Sequence, residues 1–359
     1  MQATRELHLV LGSRNLTDVT VTRALPTGYE PYNQFYGSLL PANASILGFL
    51  AKDGIEPIPT IFSSSDADGK RSWSSRVRID DTSYYLYGLL PMEETSNVTI
   101  APNSNYNSGA KLTISGMNAV TANDVCVIVG VKGYAPVNAI DPLPAITAND
   151  LAMNTCLGKF DIQFADNQDN YAYLLVDHLY SSLRFSMKID ETYSQLRTIK
   201  VKKMELTLTD AEGNPSKKTL DAKVKLQANT DNTSPLAAVT YTTADGTGAN
   251  SATIFNVYNA DDALELKTTP QDIRCYLAPK ILREITTPKL ELQTTYDVYD
   301  RKGNLIRKDE KATNKFSPSV SAILDLGRGE EYVYNITVQP TYLYVLSDPD
   351  LDLPTFTIE

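Results

Sequence analysis

Apolar and polar residues alternate along much of the chain, the period of two that sends successive side chains of a strand to opposite faces. Leu7, Leu9 and Leu11 share one face, with Glu6 and His8 on the other. Val19 and Val21 mark a second short strand over residues 17–22. The same alternation runs through Phe160, Ile162 and Phe164, and through Leu183, Phe185, Met187 and Ile189. It returns at Leu206 and Leu208, from Leu290 to Val298, and from Tyr332 to Val338. Thr, Val, Ile and Tyr are abundant in these runs, as suits a pleated, half-buried surface. Two segments rich in turn formers, Asp210-Ala211-Glu212-Gly213-Asn214 and Asp300-Arg301-Lys302-Gly303-Asn304, each join two strand-like runs and predict hairpins. Helix signals are few: one turn over 148–153, and a stripe of Leu175, Leu179 and Leu183 around His178. Many short strands with so little helix predict an all-β protein built of sandwiches, not βαβ units.

With 359 residues, the chain is too long for one ordinary sandwich and suits two. The polar cluster from Asp166 to Asn170 marks the expected boundary, giving an N-terminal domain over 1–167 and a C-terminal domain over 168–359. Residues 229–250, rich in Thr, Asn, Asp and Gly, predict a long surface loop or mobile hairpin. No short-period repeat indicates a solenoid.

Charge narrows the function. A net charge of -10 disfavours nucleic acid, whose phosphates call for a basic face, and disfavours adsorption to anionic lipid. No window approaches ~18 uninterrupted apolar residues, the length of a membrane-spanning helix. The start, Met1-Gln2-Ala3-Thr4-Arg5, lacks an apolar signal region and reads as an initiator Met on a mature chain whose export signal has been removed.

Candidate chemistry is sparse. The two histidines, His8 and His178, have no accompanying nucleophile motif, and His178 in its apolar stretch predicts a packed, hydrogen-bonded side chain. Cys126, Cys156 and Cys275 are scattered, and Cys126 lies in the apolar run Val125–Val129, so free thiols outside any framework are expected. Two histidines and three dispersed cysteines offer no ligand pair at zinc spacing, so no metal is expected. Asp66-Ala67-Asp68-Gly69 opens like a calcium loop, but Ser75 stands where the closing Glu belongs. Asp348, Asp350 and Asp352 read as a solvated acidic turn. The adjacent carboxylates Glu93-Glu94, Asp261-Asp262 and Glu330-Glu331 would point to opposite faces of a strand and so cannot oppose one another across a cleft. The 21 tyrosines, clustered near Tyr32, Tyr85 and Tyr334, read first as sheet filler and second as a binding platform. A non-enzymatic protein with no cofactor follows.

Four segments resemble the fimbrillins, the type V pilins of the Bacteroidetes. They are Tyr85-Leu86-Tyr87-Gly88-Leu89-Leu90-Pro91; Asp177-His178-Leu179 with Leu183-Arg184-Phe185; Thr295-Tyr296-Asp297-Val298-Tyr299-Asp300 with Gly303-Asn304 and Thr313-Asn314; and Gly329-Glu330-Glu331-Tyr332 running on to Leu343. Their order spans most of the chain. The resemblance implies two transthyretin-like β-sandwich domains in tandem and export as a lipoprotein to the outer membrane, through an N-terminal lipid anchor absent from this chain. It implies a structural subunit of surface fimbriae that mediates adhesion, polymerised with other fimbrial subunits by protease-triggered strand exchange, with host or bacterial surface ligands as further partners. The processing site would fall at Arg23-Ala24, within Thr22-Arg23-Ala24-Leu25-Pro26. The displaced segment would carry Leu7, Leu9, Leu11, Val19 and Val21, and the donor tail would carry Phe356 and Ile358. The alternative is a non-polymerising surface lipoprotein: a fimbrial anchor or tip, or an adhesin that binds carbohydrate or protein.

Overall fold

The computed structural model describes residues 4–14, 17–18, 29–31, 44–67, 70–78, 83–95, 97–134, 158–161, 170–213, 218–226, 237–245, 254–285, 287–316, 321–342 and 349–358. In chain order the strands begin with β1 (Thr4–Arg14), β2 (Thr17–Asp18), β3 (Tyr29–Pro31), β4 (Ile46–Lys52), β5 (Ile55–Ala67), β6 (Lys70–Arg78) and β7 (Ser83–Leu90). There follow β8 (Asn97–Pro102), β9 (Ala110–Asn118), β10 (Val120–Thr121), β11 (Cys126–Tyr134), β12 (Lys159–Asp161), β13 (Asn170–His178), β14 (Ser181–Ile189), β15 (Thr198–Thr209) and β16 (Lys218–Leu226). The last are β17 (Ala237–Asp245), β18 (Ile254–Glu265), β19 (Gln271–Leu277), β20 (Lys289–Tyr299), β21 (Leu305–Phe316), β22 (Glu330–Tyr342) and β23 (Pro349–Ile358). Helices among the described residues are single turns such as Glu191–Ser194, where the Asp190 side chain accepts from the Tyr193 amide at 2.9 Å. The all-β class is therefore as expected.

The strands form four sheets. The first runs β11-β13-β1-β6-β5-β4-β7-β12, with β3 beside β1. It closes on itself, because β7 also pairs with β11 through Cys126↔Leu90 and Val127↔Leu89. Its inward side chains, among them Leu7, Leu9, Ile46, Phe62, Trp73, Leu86, Ile128 and Leu174, make one buried cluster. The outward residues Tyr87 and Leu89 of β7 belong instead to a second, larger cluster. Gly88 between them faces Gly48 across the ladder, and a Cβ at Gly88 would lie 2.1 Å from the Leu47 carbonyl oxygen. That close approach requires glycine there.

The second sheet is β10-β19-β14-β22, with β2 and β23 along the outer edge of β22. The third is β18-β15-β20-β21 and packs on the second, with the Tyr296 ring 4.9 Å from that of Phe356. The fourth is β17-β16-β9-β8.

Sheet membership does not follow the expected division at residue 167. The fourth sheet joins β8 and β9 to β16 and β17, β10 pairs with β19, and β13 lies in the closed sheet. The larger apolar cluster likewise takes in Leu89 and Leu112 with Phe185 and Val338. Other expectations also differ from the structure. Leu175 and Leu183 lie in strands, and Leu179 begins the crossing between them, where its amide donates to the Val125 carbonyl at 2.8 Å. The turn at Asp210–Gly213 forms, with the Gly213 amide donating to the Asp210 carbonyl at 3.2 Å, yet it links strands of different sheets and makes no hairpin. Residues 237–245, within the expected loop, form a strand paired along its whole length with β16. The turn over 148–153, Ile162, Phe164 and residues 166–169 lie outside the described residues, as do Asp68, Gly69 and Asp348.

Candidate functional site

The strand β1 begins as the alternation in its sequence and ends as an interior member of the closed sheet. One edge pairs in parallel with β13, from Leu7↔Asn170 to Ser13↔Val176. The other pairs antiparallel with β6, from Thr4↔Arg78 to Leu9↔Trp73, and then with β3. Leu7, Leu9 and Leu11 are buried in the interior cluster. On the outer face Glu6 accepts a hydrogen bond from the Ser74 hydroxyl at 3.0 Å, and the His8 ring stacks on Tyr171 at 5.0 Å. Burying three leucines contributes roughly 5–9 kcal/mol before chain entropy is subtracted. The sole tryptophan, Trp73, sits opposite Leu9 with its indole N–H donating to the Ala44 carbonyl at 2.9 Å.

Beyond β1 the chain changes partner. Thr17 and Asp18 pair in parallel with Glu330 and Glu331 of β22, so the expected strand over 17–22 starts against the second sheet. Val19, Val21, Arg23 and Ala24 lie outside the described residues.

The C-terminal strand β23 occupies the same edge of β22 further along, with Ile336↔Ile358 and Val338↔Phe356 in register. Phe356 is buried, and its carbonyl accepts from Asn314 Nδ2 at 2.5 Å. Ile358 is half-buried against the larger cluster. The tail that carries the two expected donor residues is thus docked on its own sheet.

A second constellation lies where the closed sheet meets the second sheet. Asp124 Oδ2 is 2.5 Å from His178 Nδ1, and Cys126 Sγ is 3.5 Å from that oxygen and 3.7 Å from that nitrogen. All three residues are buried, and among the described residues they are the one group of this kind able to hold a metal ion. The next residue along, Asp177, accepts from Arg328 Nη1 at 2.8 Å, and the same guanidinium nitrogen donates to the His178 carbonyl at 3.2 Å. Burial pushes the Cys126 thiol well above its ordinary range, and the charges of Asp124 and Asp177 push it further. It is therefore a poor nucleophile at neutral pH. Sequence reasoning expected a packed His178, which the structure shows, but it did not foresee the grouping. Cys126 and His178 are 52 residues apart and meet only because β11 and β13 pair in that register.

Three of the adjacent carboxylates make structural contacts. Glu93 accepts from the Ser45 amide, and Glu330 accepts from the Gly327 amide at 2.6 Å. Buried Glu331 accepts from Arg274 Nε at 2.7 Å and from the Ser182 hydroxyl at 3.1 Å, and forms an ion pair with Arg184, whose Nε lies 2.9 Å away. Tyr84, Tyr87 and Tyr334 are buried, and the Tyr87 hydroxyl donates to the Tyr106 carbonyl at 2.6 Å. Cys126 and Cys275 are free thiols, and Cys156 lies outside the described residues.

No family model matches the chain, and no curated protein does. Among solved structures it is similar to a candidate cell adhesion protein from Bacteroides fragilis, at TM-score 0.42 and 11% identity over 99% of this chain and 97% of that one. A fimbrial protein from Bacteroides ovatus matches at TM-score 0.33 and 11% identity, over 97% of this chain and 54% of that one. The fimbrial anchor protein Mfa2 from Porphyromonas gingivalis matches at TM-score 0.29 and 7% identity, over 99% and 95% of the two chains.

Proposed function

We propose that the chain is a structural subunit of surface fimbriae, held at the cell surface and assembled with other subunits by strand exchange. The observation that carries the reading is the place of β1. This strand lies inside a closed sheet, paired on both edges and buried through Leu7, Leu9 and Leu11. Its loss would open an apolar slot bordered by two unpaired strand edges, which an extended segment of another subunit restores. A cut after Arg23 separates β1 and β2 from the rest of the chain. We read the closed sheet with the fourth sheet, and the second sheet with the third, as counterparts of two transthyretin-like sandwiches stitched together by β2, β10 and the β16–β17 pair. We also read the chain as non-enzymatic, a view supported by the buried thiol, held protonated by burial, of the Cys126, His178 and Asp124 group.

The docked tail favours a second reading. A subunit that keeps β23 on its own sheet donates no strand, as suits an anchor, a tip or a surface adhesin. Digestion with a trypsin-like protease, followed by sizing and electron microscopy, separates the two. The first reading expects oligomers from the parent chain, none from Arg23→Ala, and none after deletion of residues 354–359. A parent that is cut after Arg23, loses its N-terminal segment and stays monomeric with an intact tail overturns it in favour of the second.

A further inference from the structure

The buried group beside the crossing from β13 to β14 carries an inference independent of strand exchange. Asp124, Cys126 and His178 present a carboxylate oxygen, a sulfur and an imidazole nitrogen, all within 4.8 Å of one another. Cys126 and His178 are direct cross-strand partners, and Asp124 precedes Cys126 by two residues at the mouth of β11. Tetrahedral zinc, bonded to sulfur at about 2.3 Å and to nitrogen at about 2.0 Å, holds two such ligand atoms roughly 3.5 Å apart. Sulfur already stands 3.7 Å from Nδ1 and 3.5 Å from Oδ2. Only the 2.5 Å separation of Nδ1 and Oδ2 is that of a hydrogen bond and must widen.

A second observation points to a missing ligand. Among the described residues, Asp124 Oδ1, on the same carboxyl, is buried and has no hydrogen-bond partner, and neither has the buried hydroxyl of Tyr276. Tyr276 pairs with Thr121, three residues before Asp124. Buried polar atoms without a donor or a cation are costly and rare, so the Asp124 oxygen beside the three candidate ligands calls for an occupant. Calcium and magnesium take oxygen ligands, whereas one sulfur, one nitrogen and one oxygen suit a borderline first-row dication.

We propose that Asp124, Cys126 and His178 form a buried three-ligand site for zinc or a similar divalent metal, with a fourth position left for water. Loading expels the thiol proton and displaces the proton shared between Nδ1 and the carboxylate, since both ligands must bind deprotonated. The bound ion ties the start of β11 to the end of β13, next to the point where the chain leaves the closed sheet.

The test is refolding of the full chain with cobalt(II), followed by displacement with zinc. One cobalt should bind per chain, with a sulfur-to-cobalt charge-transfer band and the visible bands of a tetrahedral centre, both bleached by zinc. Cys126→Ser should lose the charge-transfer band, and Cys275→Ser, at a buried thiol elsewhere, should keep it. Should Cys126→Ser fail to fold, the parent supplies a second measurement. Its melting temperature should rise by several degrees with one equivalent of zinc and fall back with a chelator. The proposal is overturned if the folded parent binds less than one cobalt without a sulfur band, leaving water as the occupant. It is equally overturned if the band survives Cys126→Ser or disappears in Cys275→Ser, or if zinc leaves the melting temperature unchanged.

Discussion

His178 shows how much one residue can hold in place. Its ring nitrogen faces the Asp124 carboxylate at 2.5 Å, and its carbonyl accepts from Arg328, so the end of β13 is fixed from two sides. Removing the imidazole strands a buried carboxylate whose other oxygen already lacks a partner among the described residues. His178→Ala should therefore cost about 3–5 kcal/mol in metal-free buffer, the penalty of breaking a buried pair from one side. Urea unfolding measures this, and the double variant with Asp124→Ala should recover part of the loss because the stranded charge is gone. A single variant as stable as the parent would show that the contact holds nothing. The packed state of His178 was legible in its apolar neighbours. Its partners were not, because Asp124 and Cys126 reach it only through strand register, which period-two patterning does not specify across 52 residues.

At the scale of elements, turn chemistry was the most legible feature, and its limit is instructive. Asp300 Oδ1 accepts from the amides of Lys302 and Asn304, each at 2.8 Å, while Oδ2 accepts from Asn304 Nδ2 at 2.8 Å. Gly303 supplies the positive φ of 81° that closes the turn, and β20 and β21 pair on either side. The Asn304 side chain, then its amide, holds the Asp300 carboxyl below its ordinary value of 3.8. A lowered folded-state pKa means the contribution is complete above that ordinary value and is lost as pH falls through the lower one. Protection of the Lys302 and Asn304 amides, measured relative to their intrinsic exchange rates at each pH, should accordingly fall on acidification below pH 3.8, before the far end of the hairpin responds, and Asp300→Ala should show low protection already at neutral pH. Protection that stays constant in this range would refute the assignment. The turn at Asp210 has similar residues but joins strands of different sheets. Side chains fix a bend locally, whereas the partner of each flanking strand is chosen by packing.

The tail is an element whose state matters to function. Phe356 is buried against Tyr296, and the backbone of β23 is held by its ladder with β22 and by Asn314. Phe356→Ala removes roughly 3 kcal/mol of packing at this edge. Because β23 has, among the described residues, a strand partner on one side only, the loss should appear as local release. Limited proteolysis should clip the tail faster while the midpoint of global unfolding moves little. An unchanged clipping rate would mean that the ladder alone holds the tail. The alternation of Phe356 and Ile358 announced a strand, but nothing in it said which sheet would receive it.

For the whole molecule, the all-β class was legible because alternation and turn formers recur throughout. The closure of the first sheet was not, since it depends on the short pairing of β7 with β11. Nor was the interweaving of sheets across residue 167, because the hairpin partner of β16 and the edge partner of β9 are set by tertiary packing. Closure bears directly on what happens when β1 leaves. Trp73 is the only tryptophan, is buried, and stands opposite Leu9 in the β1–β6 ladder. In the intact chain its emission should be that of an apolar interior. Cutting after Arg23 should leave the emission unchanged at first, because three buried leucines and two ladders still hold β1 in place. Mild denaturant, or a synthetic peptide spanning residues 349–359 supplied in excess, should then release the N-terminal fragment. Emission should shift to the red when the slot stands open, and return toward the blue when a strand refills it. Mass spectrometry of the separated fragment follows the same event by an independent readout. If the fragment leaves and Trp73 emission does not move, the slot has collapsed around the missing strand and offers no groove to another subunit, which would remove the physical basis of strand exchange for this chain.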